Sequence, residues 1–281
     1  MNVPRSGPPP KVQAVSSRDN PLVQRLRKHA ADSAAYRKLG EIWLEGDHLC
    51  EAALVRGRTP DVAVIADVAW LGDQGLAQPG DVQARRLTDL ALRAPKIVVV
   101  PQALWAQFTQ LESPARLGFL LPLQAQDAPV GPLPGVPTLV LDRVQDAGNV
   151  GAMLRSASAL GVKQVLALKG TAALWSGKVL RAGMGAHFGL HLVEQLTLDG
   201  LKDLGVPLVA TSSHTEMALH QAPLPEPCAW VMGHEGQGVS DDLMARCAMA
   251  VCIPQPGGEE SLNVGSAAAI CLYESLRRRL A

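Results

Sequence analysis

Apolar and polar positions along this chain follow one rhythm up to about residue 123 and another beyond residue 137, and the change marks its organisation. Residues 1–11 are rich in Pro, Ser and Gly and read as a disordered tail. Leu22, Leu26 and Ala30 then share one helical stripe, with Arg25 and Lys28 turned away. "EIWLEG" predicts a short strand, followed by a helix through Leu54. "DVAVIAD" and "KIVVVP" predict buried strands with "LTDLAL" as a short helix between them, and "RLGFLLPL" predicts a last strand. Residues 12–123 are therefore expected to form a small α/β module. Across 124–137, "QAQDAPVGPLPGVP" holds four prolines and two glycines, which preclude regular structure and predict a linker. Over 138–281 strands and helices alternate: "TLVLDRV", a helix from Val150, "QVLAL", helical "LWSGKVLRAGMGAHF", "HLVE", "GVPLVATS", "AWVMG", "MAVCIP" and a helix from about Asn263. That alternation predicts an α/β domain with a mainly parallel sheet covered by helices on both faces.

Three of these strands run into polar, Gly-rich loops: "LDRVQDAGNVGAMLRSASALGV" from Leu141, "VMGHEGQGVS" from Val231 and "CIPQPGGEESLNVGSAAAICLYE" from Cys252. An α/β domain gathers such loops at one edge of its sheet, where they make a ligand pocket. In the first, Asn149 is an N-cap type and Val150, Met153, Leu154 and Ala157 form the buried stripe, so Arg155 points the other way. In the second, Gly233, Gly236 and Gly238 allow close backbone approach around the carboxylate of Glu235, and Ser240 is placed to cap a "DDLMARC" helix. In the third, Ser261 and Asn263 supply a hydroxyl and an amide at a turn entering a helix. Thr211 and Ser212 end the strand "VPLVA" at the same edge. Taken alone, these residues could all be caps, turns and solvated side chains. Gly183, Gly185 and Gly189 make a loose dinucleotide-loop pattern, discounted because they fall within or after a helical stretch. His187 and His234 lie near the loops, but the seven histidines form no ligand cluster.

With 281 residues, 47% of them apolar, the chain can build two cored domains. Lacking an apolar run of about 18 residues or a secretory h-region, it is expected to be a soluble cytosolic protein without a membrane partner. Five cysteines without a CxxC pair favour neither disulfides nor zinc, and no metal site is expected. Charges balance at 26 each, but residues 1–60 carry ten Lys/Arg against six Asp/Glu. Arg18, Arg25, Arg27, Lys28, Arg37 and Lys38 belong to that excess, which is either a solvated helix face or a phosphate-binding stripe.

In order and spacing the three loops resemble the signature motifs of the SpoU (TrmH-type) family of RNA ribose 2′-O-methyltransferases, within the knotted SPOUT superfamily. The resemblance covers roughly the last half of the chain. It implies a trefoil-knotted sheet, an exception to the rule against knots, and S-adenosyl-L-methionine (AdoMet) as methyl donor. The family's N-x-G-x-x-x-R falls on Asn149, Gly151 and Arg155, and its I-P…S-L-N-V…A-A run on residues 253–268. The resemblance implies catalytic roles for Arg155, Asn149, Glu235, Ser261 and Asn263. For AdoMet it implies contacts from Gly233, Glu235, Gly236, Ile253, Leu262 and Asn263, with Thr211 and Ser212 added by position. Glu235 is expected to hold and orient Arg155. An arginine with a pKa above about 12 is a poor proton acceptor. Gripping the adjacent phosphate and stabilising a developing alkoxide suit it better. Ala147 stands where the family commonly has Pro, and Gly265 where Ser is frequent.

The first module is similar to the ribosomal-protein-like RNA-binding domain that precedes many SpoU-family catalytic domains, through Asn20, Pro21, Glu45 and Gly46. This favours RNA contact by its basic stripe, joined by Lys178 and Arg181. Ribosomal RNA is expected over tRNA. A homodimer through the C-terminal domain is also implied, with Ala267, Ala268 and Cys271 as a small-residue face. A dinucleotide oxidoreductase would need G-x-G-x-x-G, which "DAGNVGAMLR" lacks. A hydrolase would show G-x-S-x-G, which is absent. A non-catalytic RNA-binding protein of the same fold would show lesions at the motif residues, and none is present.

Overall fold

The computed structural model describes residues 8–123, 131–257 and 261–280. They form two compact units: one holds the described residues to Leu123 together with Trp175–Arg181, the other the remainder. Among the described residues no helix is long and apolar enough to cross a membrane.

The first unit is built on a five-stranded sheet of β1 (Lys11–Ala14), β2 (Glu41–Glu45), β3 (Val62–Ala66), β4 (Lys96–Val100) and β5 (Leu117–Pro122), in the order β1-β4-β3-β5-β2. β1, β3 and β4 are parallel, and β5 runs against β3 and β2. Helix α1 (Pro21–Ala31) starts where Asn20 Oδ1 accepts from the Leu22 N–H at 2.9 Å and Pro21 fills the first turn. It buries Leu22, Val23 and Leu26 against a core containing Trp43, Trp105 and Phe108. The buried Glu45 carboxylate is satisfied by Trp105 Nε1–H at 2.9 Å. The expected helices over Leu54 and "LTDLAL" appear as α3 (Asp47–Val55) and α4 (Val82–Ala91), and two short helices that the pattern did not predict are added, α2 (Ala35–Leu39) and the one-turn α5 (Gln102–Trp105). Lys11, expected in the tail, instead opens β1, whose four residues are all exposed and so show no burial alternation. Residues 1–7 of that tail and 124–130 of the expected linker lie outside the described residues. The remaining linker residues, 131–137, hold no helix or strand.

The second unit carries six parallel strands: β6 (Thr138–Leu141), β7 (Gln164–Leu168), β8 (His191–Leu196), β9 (Leu208–Thr211), β10 (Ala229–Met232) and β11 (Met249–Val251). Their order is β11-β9-β10-β6-β7-β8. The chain builds outward through β7 and β8, and β10 then enters between β9 and β6. That reversal beside β6 is where α/β sheets open a crevice at their carboxyl ends. The helices of this unit are α6 (Ala147–Ala159), α8 (Asp241–Met244) and α9 (Val264–Leu280), while α7 (Gly177–Gly183) belongs to the first unit as far as Arg181. The long helix expected over "LWSGKVLRAGMGAHF" is broken, because Met184 and Gly185 take φ of 49° and 82° and a 3₁₀ turn follows. Met153, Leu154 and Ala157 of α6 are buried, and α6 packs along α9. Trp230 Nε1–H, donating to Ser275 Oγ at 2.9 Å, fastens α9 to β10.

Candidate active site

The parallel register puts the ends of β6, β10, β9 and β11 on one edge, so Asp142, Gly233, Ser212 and Cys252 follow side by side. Three loops leave this edge, and their side chains meet in one hydrogen-bonded junction. Glu235 accepts from the backbone N–H of Gln145 at 3.2 Å, the N–H of Asp146 at 3.0 Å and the Asn149 side-chain amide at 3.2 Å. Asn149 Oδ1 in turn accepts from Asn263 Nδ2 at 2.9 Å. Asn263 Oδ1 accepts from the N–H groups of Gly265 at 2.9 Å and Ser266 at 3.2 Å, which caps α9. A carboxylate only accepts, so the Asn149 amide has a fixed sense: its nitrogen faces Glu235 and its oxygen faces Asn263. Burial works to raise the Glu235 carboxyl pKa. The hydrogen bonds from its own backbone, Asp146, Asn149 and Gln145 outweigh that and hold it below its ordinary value, so it stays ionised.

Two glycines make this closeness possible. A Cβ on Gly233 would lie 2.1 Å from the Gly238 carbonyl carbon, where the loop crosses itself through paired His234 and Gly238 backbone bonds. A Cβ on Gly265 would crowd Asn263 Oδ1 at 3.1 Å and approach Ala152 of α6. Its occupation of a position where Ser is frequent thus fits the approach of α9 to α6. His234 organises the loop, its Nδ1 accepting from Gly236 N–H at 3.0 Å and Gln237 N–H at 3.2 Å.

Three sequence expectations need correction. Asn149 does not cap α6: Asp146 does, accepting the Asn149 N–H at 2.7 Å, so the helix begins at Ala147 and the Asn149 amide is released to bridge two other loops. Glu235 does not hold Arg155. Backbone donors at the start of α6 occupy it, while Arg155 is exposed and makes no hydrogen bond or ion pair among the described residues. Ser240 stands at the N-cap of α8 without a side-chain cap, its N–H donating instead to Asp142 Oδ2 at 2.7 Å.

The other candidates lie on the same edge. Thr211 Oγ1 faces Met232 Sδ at 3.9 Å, and Ser212 Oγ accepts from His214 N–H at 3.1 Å. Ile253 is half-buried, Gly236 is exposed, and Ser261 and Leu262 are exposed at the entrance to α9. Gly258, Glu259 and Glu260 of the third motif lie outside the described residues. Sequence reasoning missed Asp142, Arg143 and Gln237, which brace the second loop, and Asp146. A cavity at the opposite edge, lined by Pro137, Thr138, Leu160, Val162, Cys228 and Trp230, shares none of these residues.

All eight residues expected to meet RNA fall in the first unit. Arg18, Arg27, Lys28, Arg37, Lys38 and Lys178 are exposed, and the Arg37 guanidinium lies 5.3 Å from the Tyr36 ring centre. Arg25 is engaged by Glu41 at 3.2 Å, and Arg181 donates to Gln110 at 3.3 Å.

The profile of the SpoU rRNA Methylase family matches residues 137–273. A Synechocystis protein described as an uncharacterized tRNA/rRNA methyltransferase is 30% identical over 96% of this chain and 96% of its own. The 23S rRNA (guanosine-2′-O-)-methyltransferase RlmB of Bordetella pertussis is 40% identical over 148 residues, 50% of this chain and 59% of that one. Among solved structures, an RNA 2′-O ribose methyltransferase superposes with a TM-score of 0.76 at 28% identity, covering 96% of this chain and all 100% of the other. The AdoMet-bound rRNA methyltransferase of Sinorhizobium meliloti gives 0.75 at 25% identity, over 96% and 99%. With a relative matched end to end and the family profile laid over all three loops of the junction, this chain belongs to the SpoU family of rRNA methylases.

Proposed function

We propose that the protein transfers a methyl group from AdoMet to a ribose 2′-hydroxyl of ribosomal RNA. The observation that carries this reading is the Glu235–Asn149–Asn263 junction, which binds the three loops into one constellation at the sheet's carboxyl edge. The glycine-crossed loop at Gly233 and the adjoining strand ends fit a nucleoside donor, held by Thr211, Ser212, Gly233, Gly236, Ile253 and Leu262. When bound, AdoMet supplies an electrophilic methyl on a sulfonium.

The 2′-oxygen would gain the methyl as the methyl–sulfur bond breaks to leave a neutral thioether, its proton passing to solvent, a displacement that demands alignment and charge handling above all. Arg155, exposed and uncommitted to the described residues, supplies a planar fork that grips the neighbouring phosphate and stabilises the oxygen as negative charge develops. Asn149 and Asn263 keep the floor of the site in one arrangement, with Ser261 beside them. The basic side chains of the first unit attract phosphates without reading sequence. The sheet of the second unit is threaded as a trefoil knot in this reading, and the protein acts in the cytoplasm.

A homodimer is part of the proposal, but through a different face from the small-residue one. Ala268 and Cys271 are buried within the unit, whereas Ile270 and Tyr273, a turn apart on α9, are 40% and 57% exposed. Light scattering is expected to give twice the chain mass, and a monomer in active protein would refute the dimer. The function is tested by incubating the purified chain with labelled AdoMet and either ribosomal RNA or tRNA, then mapping the label. One 2′-O-methylated ribose in ribosomal RNA is expected. Label on a base, or on tRNA alone, would overturn the assignment.

A further inference from the structure

The second loop is braced to the first at two places. One is the Glu235 junction. The other lies where β6 ends, at two residues to which neither the sequence motifs nor the comparisons give a role. Asp142 is a carboxylate with a side chain only 3% exposed, and so deep a charge must be paired. It accepts from Ser240 N–H at 2.7 Å and from Arg143 Nε at 3.1 Å. Arg143 holds φ of 58°, the left-handed region that non-glycine residues seldom occupy and that persists where surrounding contacts enforce it. Its fork reaches across to the same loop, donating from Nη1 to Gln237 Oε1 at 2.9 Å, with Nη2 3.5 Å from the Gly238 carbonyl.

Asp142 and Arg143 therefore fix residues 237–240, while Glu235, two residues upstream of Gln237, touches Gln145, Asp146 and Asn149. The two braces share one short loop and one short stretch of backbone, so the reach of Glu235 depends on where the Arg143 fork sets the loop. Building on the methyl-transfer reading, we infer that Asp142 and Arg143 are positioning residues: they hold the 233–240 loop so that Glu235 and, through it, Asn149 stand in their working arrangement.

Arg143→Gly removes the fork without straining the backbone, because glycine accepts positive φ. Gln237→Ala removes one partner of the fork and leaves the backbone alone. Arg143→Lys keeps the charge without the planar geometry. Four quantities are read on the full chain: melting temperature, single-turnover methyl transfer at saturating AdoMet, KM for RNA from steady-state turnover, and the pH titration of the Gln145 and Asp146 amide resonances, which report Glu235 directly. Arg143→Gly is expected to fold with a lowered melting temperature, because glycine accepts the left-handed φ but leaves the deep Asp142 carboxylate without its cation. Its transfer rate should fall about tenfold with KM for RNA changed less than about threefold, the sign of a lost arrangement and not of lost binding. The amide titration should shrink in amplitude and move toward ordinary carboxylate values. Arg143→Lys should not restore either, and Gln237→Ala should move both the same way by less.

If Arg143→Gly keeps the parental amide titration, the inference is overturned, whatever happens to the rate. A rate loss that only follows loss of folded protein, with that titration intact, overturns it equally. Should Arg143→Gly fail to fold, the amide titration of Gln237→Ala decides in its place. Should the parent transfer no methyl to any RNA, the functional reading falls, and the titration still decides the positioning role.

Discussion

At the carboxyl edge of the second unit the polar side chains of the junction are each held by another group: Glu235 by two backbone N–H groups and an amide, Asn149 by Glu235 and Asn263, Asn263 by the first turn of α9. In the first unit Arg18, Arg27 and Lys28 stand exposed on or beside α1, while their neighbours Arg25 and His29 lie 3.2 Å and 3.7 Å from the Glu41 carboxylate. The difference follows from what each kind of chemistry tolerates. Aligning an oxygen with a methyl group fails over about 1 Å, so it needs hydrogen bonds of fixed direction. Attracting a phosphate backbone works over a Debye length of about 8 Å, so loosely placed charges suffice.

Arg155 is the exception in the second unit, and replacing it would sharpen the contrast most. It lies outside the buried stripe of α6, so Arg155→Ala should leave the melting temperature nearly unchanged. Methyl transfer should fall about a hundredfold or more, as for a group acting in the transition state, and Arg155→Lys should not rescue it. Near-normal turnover in the alanine variant would shift the catalytic role to the Asn149–Asn263 floor.

The next effect tests whether the framework under the site is as closed as its hydrogen bonds suggest. His187 follows the break after α7, is 1% exposed, and its Nε2–H donates to the Leu174 carbonyl at 2.8 Å. Burial lowers its pKa to about 4, against the partial opposition of that bond. A folded-state pKa below the unfolded value favours the neutral ring, so its contribution is complete above about pH 6.5 and lost as pH falls toward 4. At pH 5 the loss should be about 2 kcal/mol. Denaturant unfolding at pH 7.5 and pH 5 measures it, and a His187→Asn variant should show a flatter dependence over that interval. An equal slope in both proteins would mean that the ring titrates as it does in the unfolded chain.

Smaller again is the change expected from Asn263→Ala, which removes a helix cap and an interloop bridge together. The cap should cost about 1 kcal/mol of stability. Transfer should fall about tenfold, because the Asn149 carbonyl oxygen loses the donor that ties it to the third loop. Asn263→Asp keeps the cap and forfeits the donor to Asn149, so it should restore stability without activity. Recovery of both would make Asn263 a cap alone.

The legibility of these features in the sequence tracked how locally each is determined. All six strands of the second unit were readable, since buried parallel strands are continuous apolar runs bounded by turns. The cap of α6 was not, because Asp146 and Asn149 are both good cap residues and only the position of Glu235, 86 residues beyond Asn149, frees one for other work. β1 escaped because its four residues are exposed and carry no alternation. The left-handed φ of Arg143 has no compositional sign at all. The motifs thus located the site, while the partner of each side chain had to come from the fold.

The smallest effect bears on the other side of the comparison. If the exposed cations of α1 act as loosely placed charge, each one that touches a phosphate releases counterions, and its removal should flatten the dependence of log Kd on log salt by nearly one unit. Arg27, exposed and turned away from the core, is expected to behave so, with Arg27→Ala weakening RNA binding severalfold. Arg25 differs because its Nε is engaged by Glu41, a carboxylate with a 17% exposed side chain, at 3.2 Å. A guanidinium already neutralised in this way displaces few counterions from RNA, so Arg25→Ala should leave the salt slope unchanged. Binding would weaken slightly and uniformly, through the Glu41 charge it uncovers. Filter binding across a salt series separates the two. Equal slopes for both variants would show that the Arg25–Glu41 pair opens on RNA, and that α1 is remodelled by its ligand and not merely a charged face.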